Sequence, residues 1–169
     1  MKSELIRRAV ELRDSGRHVE SRALLNPFLD DPLLSGSANL HTAWSLDNEG
    51  LENSALKYYR AALCGYLSEE ERFDALFGMA STLRSLGKYA DALDMFEKTV
   101  LEYPNKLEIV PFYCMCLYNL GRDHEAISRL LNLLLKTTSS KEILTYKRAI
   151  SLYLEDLDKI WDMENSIEG

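Results

Sequence analysis

Proline and glycine are scarce in this chain, with four and eight among 169 residues. Both residues interrupt helices, so their scarcity leaves room for long helical segments. Cysteine is rarer still. Three are present, an odd number, and two of them, Cys114 and Cys116, are near neighbours. That excludes a disulfide scaffold and predicts reduced thiols. Histidine is limited to His18, His41 and His124, far apart in the chain and in no metal-ligand spacing. Basic residues are outnumbered, 20 against 27 acidic ones, for a net charge of −7. A nucleic-acid role needs the opposite balance to neutralise phosphates, and so does docking on an anionic membrane. No apolar run approaches a membrane span, and the longest, near 130–135, is interrupted by Asn132. The first residues lack the apolar core of a signal peptide, so a cytoplasmic location is expected. No glycine-rich phosphate loop and no cluster of positioned acids, bases or nucleophiles occurs, so neither a cofactor nor catalysis is expected.

What is present is periodic. Hydrophobic residues make up 46% of the chain and charged residues 28%, enough to fold around a core. Gly16, Gly50, Gly87 and Gly121 are separated by 34, 37 and 34 residues. A period of about 34 residues is the mark of a repeated helix–turn–helix unit. The clearest unit runs from Phe73 to Pro104. Leu76, Met79, Ala80 and Leu83 fall at i, i+3, i+4 and i+7, one face of a helix. Gly87 then lets the chain reverse, Ala92 and Phe96 mark a second helix, and Pro104 stops it.

Weaker copies surround the other glycines. Around Gly121 stand Val110, Tyr113, Cys114 and Leu117, then Ala126 and Leu130. Around Gly50 stand Ala43 and Leu46, then Ala55, Tyr59 and Ala62, with Asn39 and Thr42 where large residues are expected. Around Gly16 stand Leu5, Ala9 and Leu12, then Ser21 and Leu25. The longer middle interval places an insertion at 68–72, where Ser68 and Glu71 form a capping-box pair. Helices are expected near 2–15, 18–29, 36–49, 52–66, 69–86, 89–102, 107–120 and 123–137, with Pro111 delaying the start of the seventh. A ninth, near 140–164, carries the stripe Ile143, Tyr146, Ile150, Tyr153, Leu154, Leu157, Ile160 and Trp161. It is expected to cap the last repeat.

These units resemble the tetratricopeptide repeat, and the whole resembles small stand-alone tetratricopeptide proteins of bacilli and related bacteria. The resemblance implies an all-α, right-handed superhelix. It would form one domain over 1–169, with repeats at about 2–33, 36–67, 73–104 and 107–138 and a capping helix at about 140–164. It also implies that the first helix of each repeat lines a concave groove. The lining would include Leu40, Trp44 and Asp47 in the second repeat, Asp74, Phe77, Ser81 and Arg84 in the third, and Met115, Tyr118 and Asn119 in the fourth. Chaperone-tail-binding members carry a Lys/Asn/Arg clamp. This chain has Ile6, Val10, His41, Asp74 and Gly78 at the matching positions, so that clamp is absent.

The expected function is a non-enzymatic protein-interaction scaffold. Its apolar strip, with the acids Asp14, Asp47, Asp74 and Glu108 against Arg13 and Arg84, suits an apolar partner segment with basic flanks. A structural homodimer using the apolar strip or the terminal helices is the alternative. A regulatory peptide sensor comes third and an enzyme last. Cys114 is expected to pack as the small residue of its repeat.

Overall fold

The computed structural model describes residues 2–161 of the chain. They form ten α-helices and, among the described residues, no strand. The helices are α1 (Lys2–Asp14), α2 (His18–Leu25), α3 (Ser35–Asp47), α4 (Glu52–Cys64), α5 (Glu69–Ser85) and α6 (Tyr89–Glu102). After them come α7 (Val110–Asn119), α8 (Asp123–Thr137), α9 (Lys141–Thr145) and α10 (Lys147–Tyr153). Two compact units are present, Met1–Ile109 and Val110–Gly169. In the first, α1 packs on α2, α3 on α4 and α5 on α6, and α2 meets α3 as α4 meets α5. In the second, α7 packs on α8, and α10 rests against α8.

The four hairpins close by one device. Gly16, Gly50, Gly87 and Gly121 have φ of +78°, +72°, +73° and +73°, a region that costs other L-residues strain. At each one the glycine N–H donates to the carbonyl three residues back. The next N–H donates to the carbonyl five residues back, as in Arg17 to Leu12 at 2.8 Å and Arg122 to Leu117 at 2.9 Å. This is the Schellman closure, which satisfies carbonyls that a helix end leaves orphaned.

Equivalent positions then bury equivalent side chains. Ala9, Ala43, Ala80 and Cys114 are buried in the first helices, and Ser21, Ala55, Ala92 and Ala126 in the second. These small residues let the paired backbones approach. Ser21 keeps its hydroxyl satisfied there by donating to the Ala9 carbonyl at 2.7 Å. Leu12, Leu46, Leu83 and Leu117 fill the space above them.

Several helix ends depart from expectation. α2 stops at Leu25 and tightens into a 3-10 turn over Asn26–Phe28, because Pro27 lacks an N–H to continue the ladder. α7 is preceded by a 3-10 turn over Leu107–Ile109, and Pro111 sits in its first turn, where a missing N–H costs nothing. The expected capping helix over 140–164 is not one helix. It breaks at Tyr146 between α9 and α10 and ends at Tyr153. Beyond it the Asp156 carboxylate accepts from the Asp158 N–H at 3.0 Å, a local turn that competes with helix. Positions 162–164 lie outside the described residues.

The short terminal helices cover α8 incompletely. Leu25, Tyr59 and Phe96 occupy one repeat position and are at most 1% exposed, whereas their counterpart Leu130 is 41% exposed. Ile127 and Leu134 on the same stripe are also exposed. The same substitution at two equivalent positions should therefore cost different amounts. Leu25→Ala should destabilise by about 2–5 kcal/mol, and Leu130→Ala by about 1 kcal/mol. Chemical denaturation of the two variants measures the difference, and equal costs would contradict the burial pattern.

Candidate functional site

The first helices α1, α3 and α5 carry the residues expected to line a groove in the Met1–Ile109 unit, and their environments differ. Leu40 is fully buried and belongs to the core, in a cluster with Ala43, Leu46, Ala55, Tyr59, Ala62 and Ala75. Its expected place on the groove surface is corrected accordingly. α3 packs against α1, α2, α4 and α5, so it buries Leu40 on one side and Asn39 on the other, where the Asn39 amide donates to the carbonyls of Leu29 and Ser35 at 2.9 and 2.8 Å. Trp44 is half-buried and packs at the edge of that cluster.

Trp44 is held by a polar knot that sequence reasoning did not assemble. The Arg13 guanidinium stands 4.8 Å from the Trp44 ring centre. It also donates to Asp14 Oδ1 at 2.8 Å and to His41 Nδ1 at 3.1 Å. An arginine can only donate, so this nitrogen of His41 accepts and the ring is neutral. Burial, and then the Arg13 charge, push the His41 pKa down to about 4. One turn back on the same face of α3, Ser37 donates to Glu71, the residue that closes the expected capping box with Ser68. Burial pushes the Glu71 carboxyl up, but the bonds from Ser37 and Ser68 outweigh it and hold it below its usual range. Arg13 therefore ties α1 to α3, and Glu71 ties α3 to α5.

Asp47 lies deeper than a groove acid would. Its Oδ2 accepts from Tyr59 Oη at 2.5 Å and from Thr82 Oγ1 at 2.8 Å, joining α3, α4 and α5. Its Oδ1 is buried with no partner among the described residues. Burial raises the Asp47 carboxyl despite both donors. It raises the Tyr59 phenol too, helped by Asp47, so the phenol stays a donor. Tyr59 reaches this position across Gly78, where an added Cβ would stand 2.6 Å from the phenolic oxygen.

On α5, Asp74, Phe77, Ser81 and Arg84 are all half-buried and share one face. Phe77 leans on Phe73 with ring centres 5.7 Å apart. Asp74 is raised by burial and then by Glu70, with Lys106 opposing. The Arg84 Nε is buried without a partner. The remaining expected residues, Met115, Tyr118 and Asn119, lie on α7 in the other unit. Met115 and Tyr118 are exposed, and Asn119 has a buried, unpartnered Oδ1. Cys114 and Cys116 are both buried, and burial raises the Cys114 thiol away from the reactive thiolate. His124 is exposed beside Asp158, whereas His18 is half-buried with its Nδ1 unpartnered. Among the described residues no group of three or more His, Cys, Asp or Glu could hold a metal, and no helix is long and apolar enough to cross a membrane.

Serial helical hairpins with the same glycine closure and the same small-residue contacts define a helical-repeat protein. The family described as tetratrico peptide repeat matches residues 36–157, most of the chain, and the protein belongs to that family. Repeats of this family are non-catalytic and mediate protein–protein interaction. The hairpin of α1 and α2 lies outside the matched span, yet it has the same turn at Gly16 and the same buried Ala9 and Leu12. No curated protein matches the chain.

His41 gives the first helices a pH dependence with a definite sign. Its folded pKa lies below the unfolded value near 6.5. The unfolded chain therefore takes up a proton first as pH falls, and stability from the neutral ring is lost between pH 6.5 and about 4. From pH 7 to pH 5 this group should remove about 1–2 kcal/mol, and His41→Gln should abolish that part of the loss. Urea denaturation of both proteins at the two pH values checks it. An identical pH dependence would place His41 in water.

Proposed function

We propose that the first helices α1, α3 and α5 of the Met1–Ile109 unit hold a segment of a partner protein, and that the chain acts as a non-enzymatic scaffold. The observation that carries this reading is the pair of half-buried aromatics, Trp44 and Phe77, standing on successive first helices. Aromatics of this kind bury much area at small entropic cost and are common binding hot spots. Trp44 is fixed in place by Arg13 and His41, so little order remains to be imposed on binding. Family membership supports a protein as the ligand. The acids Glu70 and Asp74 beside Phe77 favour basic residues next to the apolar anchor.

Selection of displayed peptides on the immobilised full-length protein supplies ligands for the test. Trp44→Ala or Phe77→Ala should weaken a selected ligand by about 2 kcal/mol or more, close to thirtyfold. Affinities unchanged by both substitutions would overturn the assignment of this surface. If both variants instead turn a dimer into a monomer in sedimentation, the strip is a self-interface and the scaffold reading fails.

A further inference from the structure

The α5 face carries opposite charges at its two ends. Glu70, Asp74, Phe77, Ser81 and Arg84 follow one another at i, i+4, i+7, i+11 and i+14, so they form one stripe along the helix. At the N-terminal end, Glu70 is exposed and, among the described residues, engages Lys106 at 3.3 Å. Among the described residues the Asp74 side chain makes no hydrogen bond or ion pair, and three acids, Glu70, Glu71 and Glu108, crowd it against the cation Lys106. At the C-terminal end, the Arg84 side chain makes no hydrogen bond or ion pair among the described residues, and its Nε is buried without an acceptor. Leaving such a donor unmade costs free energy that an incoming acceptor recovers. The other arginine expected in the groove, Arg13, is already engaged by Asp14, His41 and the Trp44 ring. Asp47 is turned into the fold, its Oδ2 accepting from Tyr59 and Thr82 and its Oδ1 buried as well. The charges left over for a partner are therefore negative near Asp74 and positive at Arg84.

Ten residues of helix separate Asp74 from Arg84, about 15 Å at 1.5 Å per residue. An extended segment advances about 3.3 Å per residue and points alternate side chains to one side. Positions i, i+2 and i+4 of such a segment thus span about 13 Å on one face, and the flexible ends of long charged side chains cover the remainder. We infer that the α5 face selects an extended partner segment with a basic residue, a large apolar residue and an acidic residue at alternate positions. The basic residue lies by Asp74, the apolar one on Phe77 and the acidic one by Arg84. This rests on the proposed scaffold role of the same surface and adds the partner's charge order.

Three blocked peptides flanked by Gly-Ser test it against the full-length protein by NMR titration at low salt. Their centres are Lys-Gly-Phe-Gly-Glu, Lys-Gly-Phe-Gly-Lys and Glu-Gly-Phe-Gly-Glu. The mixed peptide should bind at least about fivefold more tightly than either single-sign peptide, since long-range charge terms are largest at low salt. Arg84→Glu should reverse the order of the first two peptides, and Asp74→Lys should make the doubly acidic one the tightest. Arg84→Ala adds no charge and serves if the reversal unfolds the helix. It should erase the discrimination between Glu-ended and Lys-ended peptides. Equal binding of all three, still weakened by Phe77→Ala, overturns the charge order and leaves the scaffold reading standing. Binding by none overturns the charge order as well, and the displayed-peptide selection then judges the scaffold reading alone.

Discussion

The left-handed glycine at the tip of each hairpin is the constraint on which the rest depends. A helix that ends with four orphaned carbonyls must satisfy them before the chain can turn back. The paired backbone bonds at Gly16, Gly50, Gly87 and Gly121 do this in the same way four times, with nearly the same φ. The turn fixes the phase of the second helix relative to the first. With that phase set, small residues are buried on both helices of a pair, Ala80 on the first and Ala92 on the second. Ser21 and Cys114 show that the requirement is volume and not chemistry, since each takes the place that alanine holds in other repeats.

Polar groups buried between hairpins then fix what the surface can offer. Asp47, Tyr59 and Thr82 link three helices through one carboxylate oxygen, and Arg13 joins α1 to α3 through His41 and Trp44. Buried groups of this kind must be satisfied or they cost more than they contribute. Committing them to the interior, Asp47 with its Oδ1 still unpartnered, removes charges from the face expected to bind. The acid at position 47 is spent on the interior, and so is the cation at position 13. On the proposed binding face, a partner would meet the aromatic pair and the unspent charges of α5.

Much of the fold was legible because the signals were local. Gly87, Pro104, and Ser68 with Glu71 each act through their own backbone neighbourhood, and each does what its chemistry requires. α6 and α8 begin and end at the residues their periodicity marked. The failures have non-local causes. Repeat position places Leu40 in the groove, but α3 is packed against α1, α2, α4 and α5, which buries it. The Arg13–His41–Trp44 knot joins residues about 30 apart that no spacing rule connects. The terminal stripe from Ile143 to Trp161 has a helical period, but period states only which residues share a face. It does not say that a surface exists to bury all of them.

That last point explains the unequal ends of the repeat series. A repeat buries one face against its own partner helix and another against its neighbour. α1 meets this demand with charge: Glu4, Arg7, Arg8 and Glu11 pair along its exposed side, so that side is at home in water. α8 has no such ladder on the stripe of Ile127, Leu130 and Leu134. It relies on α9 and α10, whose twelve residues (five and seven) bury none of their own side chains fully. A helix that short is marginal unless packing supports it, and a stripe that is only half covered supports it weakly. The two effects reinforce each other. Incomplete cover on α8 keeps the terminal helices short, and their shortness keeps the cover incomplete. Stability should therefore fall along the series toward α10, with the glycine-closed hairpins holding longest and the terminal helices opening first.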